Sequence, residues 1–329
     1  MHKRDEKLNG AVEKAAGMLA AAERVLILTH KSPDGDTVGS AFALLRVLLK
    51  LGKKAGVINN EPFPEKYGYL AGGFEGPPEN PDLIVATDIA SVDLMGEGLA
   101  PYAGRVSLCI DHHPSNGGYA AFTLLDPKAA ATCEIMVKLI EKLGVEIDGD
   151  IAACLYTGLA TDTGCFRYSN VTPDTLRTAA EMIERGADAV ALNKRLFETV
   201  TRARLELEKQ ALSTLEYHFG GKAAVITLTR TMQDGVDEAE TEGIPAIPSR
   251  IEGVVAGITL REKENGCYKV SLRTCPPLNA SDICARLGGG GHAAAAGCRV
   301  EGGPEKAKRA VLGAVGEALK NCNLKGEGE

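Results

Sequence analysis

The sequence predicts an α/β protein: a mostly parallel, doubly wound N-terminal sheet, a helical connector, and a smaller C-terminal α/β domain with a mixed sheet. Three observations predict it. Short apolar runs alternate with helical periodicity over the first half of the chain, the pattern of strands covered on both faces. Several of those runs end in acidic or imidazole residues. From Lys222 the pattern changes to longer strands that close on a glycine run and a terminal helix.

Residues 11–23 are Ala-rich and read as helix. Val25–Leu28 is a buried strand ending in Thr29-His30. Lys31-Ser32-Pro33 turns the chain, and Asp34-Gly35-Asp36 presents two carboxylates. From Thr37 the residues Val38, Ala41, Leu44, Leu45 and Leu48 share a helical face. His30, Asp34 and Asp36 therefore sit between a strand's C-terminal end and a helix N-terminus, the edge where α/β sheets bind ligands and anions. Turn and cap chemistry would account for the two aspartates taken alone.

Ala55–Ile58 reads as the second strand, and residues 59–82 as an irregular connection. Leu83–Ala86 ends in Thr87-Asp88, and Val106–Ile110 ends in Asp111-His112-His113. Helices near 131–143 and 150–160 follow, the second running into Thr161-Asp162-Thr163-Gly164. One Asp at a strand end is an ordinary cap. Seven such residues at element ends, His30, Asp34, Asp36, Asp88, Asp111, His112 and Asp162, are hard to explain as capping.

Residues 173–218 look helical. Ala223–Leu228, Val254–Leu260 and Tyr268–Leu272 read as strands. A short helix over Asn279–Leu287 leads to Gly288-Gly289-Gly290-Gly291-His292. Cys298–Val300 is a last strand and Pro304–Lys320 a closing helix; KGEGE reads as a frayed end. The division is 1–190 for the N-terminal domain, 191–220 for the connector and 221–325 for the C-terminal domain.

At 329 residues and 44% apolar content, the chain suits two domains with sizeable cores. A net charge of −7 supplies no bulk basic field for long duplex nucleic acid. Without tryptophan and with 5% aromatics, a broad base-stacking platform is not expected. The nine cysteines form no Cys-x-x-Cys pair, which argues against a zinc ribbon and for reduced thiols in a cytosol. MHKRDEKLNG is not a signal peptide, and the longest clean apolar run is too short to span a bilayer.

Oxygen and nitrogen donors without cysteine suit a hard or borderline metal. More than four of them suggest two ions, which clamp a phosphoryl group for in-line attack. One carboxylate must then face both ions, and Asp88, at the end of a central strand, is the candidate. In the second domain, four glycines leave backbone N–H groups free to approach an anion. His292 can donate to a phosphate oxygen, with Arg273 as a charge clamp and Asn279 as a hydrogen-bond donor.

In order, His30-x-x-x-Asp34-x-Asp36, Thr87-Asp88, Asp111-His112-His113, Thr161-Asp162-Thr163-Gly164 and GGGGHAAAAG resemble the motifs of the DHH phosphoesterase superfamily with its associated C-terminal domain. Within it, the chain looks most like the nanoRNase/pAp-phosphatase group. The resemblance implies two divalent ions, manganese first, with magnesium or cobalt as alternatives. His30 and Asp34 would bind one ion, Asp36, His112 and Asp162 the other, and Asp88 would bridge. Asp111 would orient a ligand histidine, and His113 would touch the scissile phosphate or the leaving group. His292, Gly289, Gly290, Gly291, Arg273 and Asn279 would hold the substrate from across an interdomain cleft. Expected substrates are short RNA or DNA oligonucleotides and pAp, in the cytoplasm, with no membrane partner; a homodimer is open to the family. The alternatives are hydrolysis of cyclic dinucleotides or their linear products, of pyrophosphate or polyphosphate, and a non-catalytic nucleotide sensor.

Overall fold

The computed structural model describes residues 3–72, 74, 76–236, 241, 243–263 and 266–322; the KGEGE end lies outside them. Contacts divide the chain into two units, residues 1–199 and 200–329.

The first unit opens with α1 (Lys3–Ala21), β1 (Arg24–Leu28), α2 (Gly35–Lys50) and β2 (Lys54–Ile58). A single turn, α3 (Gly68–Ala71), interrupts the connection to β3 (Leu83–Thr87), β4 (Leu108–Asp111) and β5 (Phe122–Leu125). Then come α4 (Thr132–Lys142), α5 (Gly149–Asp162), α6 (Pro173–Glu184) and α7 (Ala189–Asn193). The five strands form a sheet in the order β2-β1-β3-β4-β5, every pair parallel. Alternation along each strand sends Val25, Ile27, Val85, Leu108 and Ile110 into a core shared with α1, α2, α4 and α5. Leu26, Leu28, Ile84 and Cys109 face the other way, onto Ile89, Met95, Leu99 and Val106. That second face is covered by 3₁₀ turns at Val92–Leu94 and Glu97–Arg105.

Parallel strands present all their C-terminal ends at one edge, and local sequence fixes the helices that meet them there. Asp148 caps α5 through the Ile151 N–H at 3.0 Å. Pro173 and a Thr172–Thr175 capping box start α6. Helices α2 and α5 meet closely because two facing positions lack a side chain. A Cβ on Gly39 would lie 2.4 Å from the Cys154 carbonyl oxygen, and one on Gly158 would lie 2.3 Å from Cys133 Sγ.

The second unit holds α8 (Arg202–Ser213), β6 (Glu216–His218), β7 (Ala223–Leu228), β8 (Ala256–Glu262), β9 (Cys267–Thr274), α9 (Ala280–Ala285), β10 (Gly290–Gly291), β11 (Ala295–Glu301) and α10 (Pro304–Asn321). Its six-stranded sheet runs β10-β11-β9-β8-β7-β6, with β7 and β8 parallel and the other pairs antiparallel. One face packs on α9 and α10 around Ile258, Val270, Ile283 and Val311. Ile226 and Leu228 face the other way, onto Leu207 and Ala211 of α8.

The helical reading of 173–218 needs correcting at its end. Residues 216–218 are a strand, because the turn at Phe219-Gly220-Gly221, all three at positive φ, folds them back onto β7. Residues 191–220 are shared between the two units. Lys194–Glu198 forms one π-turn, closed by the Thr199 N–H on the Lys194 carbonyl at 2.8 Å.

Candidate active site

Four segments deliver the polar groups to the C-terminal edge of the parallel sheet. Past β1, His30 Nδ1 lies 2.8 Å from the Lys31 carbonyl, which places the proton there and leaves Nε2 as a donor atom for a ligand. Nε2 sits 3.5 Å from Asp34 Oδ1 and 3.8 Å from Asp88 Oδ2. Asp34 is the N-cap of α2 and accepts the N–H groups of Asp36 and Thr37, both at 3.1 Å. The helix begins two residues earlier than its apolar pattern implies, so Asp36 lies in its first turn, fully buried.

Asp88, at the end of β3, is 2% exposed and takes φ 60°, a left-handed conformation unusual for a residue with a Cβ. Its N–H reaches the Ile110 carbonyl at 2.9 Å, which ties the turn to β4. At the end of β4, Asp111 Oδ1 accepts His113 Nδ1 at 2.8 Å and the His112 N–H at 2.9 Å. Asp111 Oδ2 accepts Asn116 Nδ2 at 2.6 Å. The His112 ring is held by Nδ1, 3.2 Å from the Ala129 carbonyl. Its Nε2 then lies 3.2 Å from Asp162 Oδ2, 3.7 Å from Asp88 Oδ1 and 4.0 Å from Asp36 Oδ2. Asp162 is the last residue of α5.

The donor atoms fall into three compact sets: His30, Asp34 and Asp88; Asp36, His112 and Asp162; Asp88, His112 and His113, the atoms of each set lying within 4.8 Å of one another. The first and second sets use six different residues. Asp88 and His112 each also belong to the third.

Electrostatics test whether these residues fit a cation. Burial, then the charge of Asp162, pushes the Asp36 carboxyl up to about 7. Burial and the charges of Asp36, Asp34 and Asp162 raise Asp88 well above the carboxylate range. On His112, burial works against a charge, but Asp162 and Asp36 outweigh it and lift the ring to about 9. Yet His112 Nε2 is buried and makes no hydrogen bond. Crowded carboxylates and an orphaned imidazole nitrogen, all oxygen and nitrogen donors, fit a hard or borderline divalent ion. Asp111 differs: burial opposes its charge, but His113 and Asn116 hold it below the usual range as a hydrogen-bond anchor.

Two contributors carry no signal in the sequence reading. The Thr132 hydroxyl donates to Asp88 Oδ1 at 2.9 Å, and its backbone N–H to Asp36 Oδ2 at 2.6 Å. The Cys133 N–H reaches Asp36 Oδ1 at 3.0 Å. Helix α4 has no side-chain cap of its own, so Asp36, 96 positions earlier, caps it. Asn116 is the other, since an Asn in a surface turn is unremarkable until its amide is seen on Asp111.

In the second unit the sequence-predicted residues also gather. His292 sits at the exposed tip of the β10–β11 hairpin, its N–H on the Ala295 carbonyl at 2.8 Å. Arg273 pairs in register with Ala295, and the Ala280 N–H beside Asn279 meets the Ala293 carbonyl at 2.7 Å. Asn279 Oδ1 is engaged as the α9 cap at 2.9 Å from the Ser281 N–H. The glycine run differs from the expected open cradle. The N–H groups of Gly288 and Gly289 close the end of α9, at 3.1 Å from Ala285 O and 2.9 Å from Cys284 O. Gly290 and Gly291 pair with β11. Close packing requires glycine at 289 and 291: a Cβ would lie 2.2 Å from Gly297 O and 2.7 Å from Ala295 O, respectively.

Comparison with known proteins gives these features a lineage. Residues 24–159 match the DHH family, N-terminal domain, and residues 210–321 match the DHHA1 domain. The chain is 35% identical over 310 residues to the bifunctional oligoribonuclease and PAP phosphatase NrnA of Thermus thermophilus, covering 92% of this chain and 93% of that protein. It is 23% identical to the protein of the same name from Bacillus subtilis, over 84% of this chain and 90% of the relative. A crystal structure of an exopolyphosphatase-related protein from Bacteroides fragilis superposes with a TM-score of 0.85 at 25% identity, covering 95% and 97% of the two chains. RecJ of Thermus thermophilus in complex with Mn2+ shares the fold, with a TM-score of 0.51 at 16% identity, over 93% of this chain and 55% of RecJ. The chain belongs to the DHH family of phosphoesterases, with a C-terminal DHHA1 domain, and resembles the NrnA oligoribonuclease/PAP phosphatases within it.

Proposed function

We propose that this protein is a metal-dependent phosphoesterase that hydrolyses short oligonucleotides to nucleoside monophosphates and removes phosphate from pAp. The observation that carries the reading is the convergence of His30, Asp34, Asp36, Asp88, His112 and Asp162 at one sheet edge. It occurs in a chain 35% identical to a bifunctional oligoribonuclease and PAP phosphatase.

His30 and Asp34 are assigned to one ion, Asp36, His112 and Asp162 to a second, and Asp88 to both. Two divalent ions there, manganese first, would supply Lewis-acid stabilisation of a phosphoryl group and an acidified water. The chain's own groups set the rest. His113 Nδ1 is committed to Asp111 at 2.8 Å, so Nε2 is the atom that can hold or deliver a proton at the leaving oxygen. Thr132 fixes Asp88, and the start of α4 fixes Asp36, so neither carboxylate reorganises when substrate arrives. His292, Gly289, Gly290, Gly291, Arg273 and Asn279 are assigned to the substrate's far phosphate and nucleoside. His292 and Arg273 serve by side chain. The paired glycines serve by their lack of bulk. A cytoplasmic setting agrees with nine cysteines that are all free thiols.

The test is product analysis with manganese, offering pApA, end-labelled RNAs of increasing length, pAp, a cyclic dinucleotide, pyrophosphate and polyphosphate side by side. Mononucleotides from the shortest RNAs together with phosphate from pAp are expected. Turnover of only pyrophosphate, polyphosphate or the cyclic dinucleotide would overturn the substrate assignment and leave the metal assignment standing.

A further inference from the structure

The chain leaving Asp162 is bent in a way that holding a metal does not require. Gly164, Cys165 and Phe166 take φ of 56°, 59° and 60°, three left-handed residues in succession. Two of them carry a Cβ, which makes the conformation costly. Thr163 holds the bend: its carbonyl accepts the N–H groups of Arg167 and Tyr168 at 2.9 and 3.0 Å, and its hydroxyl accepts the Phe166 N–H at 3.0 Å. Asn170 Nδ2 ties the far end to the carbonyl of Asp162 itself at 3.1 Å. Phe166 packs toward Tyr156, ring centroids 5.9 Å apart.

The bend delivers an aromatic face. The Tyr168 ring lies so close over Gly164 that a Cβ there would come within 2.2 Å of a ring carbon. The residue is nonetheless 59% exposed. Among the described residues its ring has no aromatic neighbour and its hydroxyl no hydrogen bond. Arg167, next in the chain, spends only Nε, on the Gly164 carbonyl at 2.6 Å, and its terminal nitrogens have no protein partner among the described residues. A bare aromatic face and an uncommitted guanidinium, fixed within six residues of a ligand carboxylate, are the chemistry of a base and its phosphate. Backbone strain of this kind persists where the surrounding structure over-determines it, as Thr163 and Asn170 do here, and it clusters at functional sites.

We propose that Tyr168 is the stacking surface for the nucleobase beside the scissile phosphate, with Arg167 alongside for an adjacent phosphate. The proposal rests on the oligonucleotide reading above and names the contact that makes the substrate a nucleotide rather than a bare phosphate chain. It stays within the expectation from composition, because a single ring is not a broad stacking platform.

The experiment compares wild type, Tyr168→Ala and Tyr168→Phe on pApA and on an analogue in which the base nearest the cleaved bond is missing. Tyr168→Ala is expected to raise KM for pApA about tenfold with kcat little changed. Tyr168→Phe should match wild type, and the abasic analogue should be cleaved equally by all three. An unchanged KM in Tyr168→Ala, or an equal rise on the abasic analogue, overturns the proposal. A second measurement needs no turnover. A dinucleotide carrying 2-aminopurine, bound to Asp88→Asn protein, should be quenched by stacking. Quenching that disappears with Tyr168→Ala supports the platform, and quenching that survives sinks it. Binding of the probe without turnover of pApA by wild type would count against the phosphoesterase reading alone.

Discussion

The carboxylate of Asp36 accepts the backbone N–H of Thr132 at 2.6 Å and so serves as the cap of a helix that begins 96 residues later. One side chain therefore has two duties, to close α4 and to face His112 and Asp162. They can be separated by mutation. Asp36→Asn keeps an acceptor oxygen but removes the charge, whereas Asp36→Ala removes both. Both variants are expected to lose at least a hundredfold in activity. In thermal melts with chelator, Asp36→Ala should be less stable than Asp36→Asn by about 1 kcal/mol, the usual worth of a cap. Equal melting temperatures would show that the cap contributes nothing.

The pH dependence of the metal-free protein has a definite sign. The Asp36 carboxyl is raised from 3.8 to about 7 in the fold, and Asp88 is raised as well. The unfolded chain therefore loses these protons first. The stability that they contribute is complete below about pH 4 and is lost as pH climbs through 7. With chelator present, the melting temperature should fall between pH 5 and pH 8. The gain on adding manganese should widen over the same interval, because metal and proton compete for the same oxygens. A metal-free melting temperature that rises with pH would contradict the crowding of charge at this site.

Thr132 offers a cleaner probe than any ligand, since it touches the carboxylates without being one. Thr132→Val keeps the shape and the backbone N–H but removes the hydroxyl from Asp88 Oδ1. Calorimetric titration with Mn2+ should show affinity reduced about 10- to 100-fold. Thr132→Ser should stay near wild type. Equal affinity in the valine variant would remove Thr132 from the account.

Gly158 tests the packing beneath the site. A Cβ there would lie 2.3 Å from Cys133 Sγ and 2.6 Å from Asp36 Oδ1. Gly158→Ala should cost about 1–3 kcal/mol by overpacking, read in denaturant melts. It should also weaken metal binding, which Gly17→Ala, at an exposed helical position with open space around it, should not.

How much of this could be read beforehand depended on whether the signal was local. His30, Asp88, Asp111 and His112 were legible because each ends a short apolar run, and a parallel sheet brings such ends to one edge. Asp34 was open to two readings, cap or ligand, and its geometry allows both: it caps α2 and stands 3.5 Å from His30 Nε2. Thr132 and Asn116 were not legible, because nothing near them in sequence marks a partner 44 or 5 positions away. β6 was hidden by the charged spacing of α8, which runs almost into it. β5 and β10, of four and two residues, are too short to carry a periodicity. The glycine run was visible, but its use was not: the N–H groups of Gly288 and Gly289 close a helix.

The groups that could hold a metal come from four stretches of chain between His30 and Asp162, and the sheet that aligns them has every strand parallel. Parallel neighbours are never joined by a tight hairpin, so each alignment waits for a long crossover to close. Such topologies assemble late and slowly. The donor atoms therefore cannot come together on a half-built sheet. During synthesis, the ribosome must release residue 162 before this cluster of groups exists, so an ion bound there would report that the parallel sheet and α5 have come together, ahead of the last helices of the first unit.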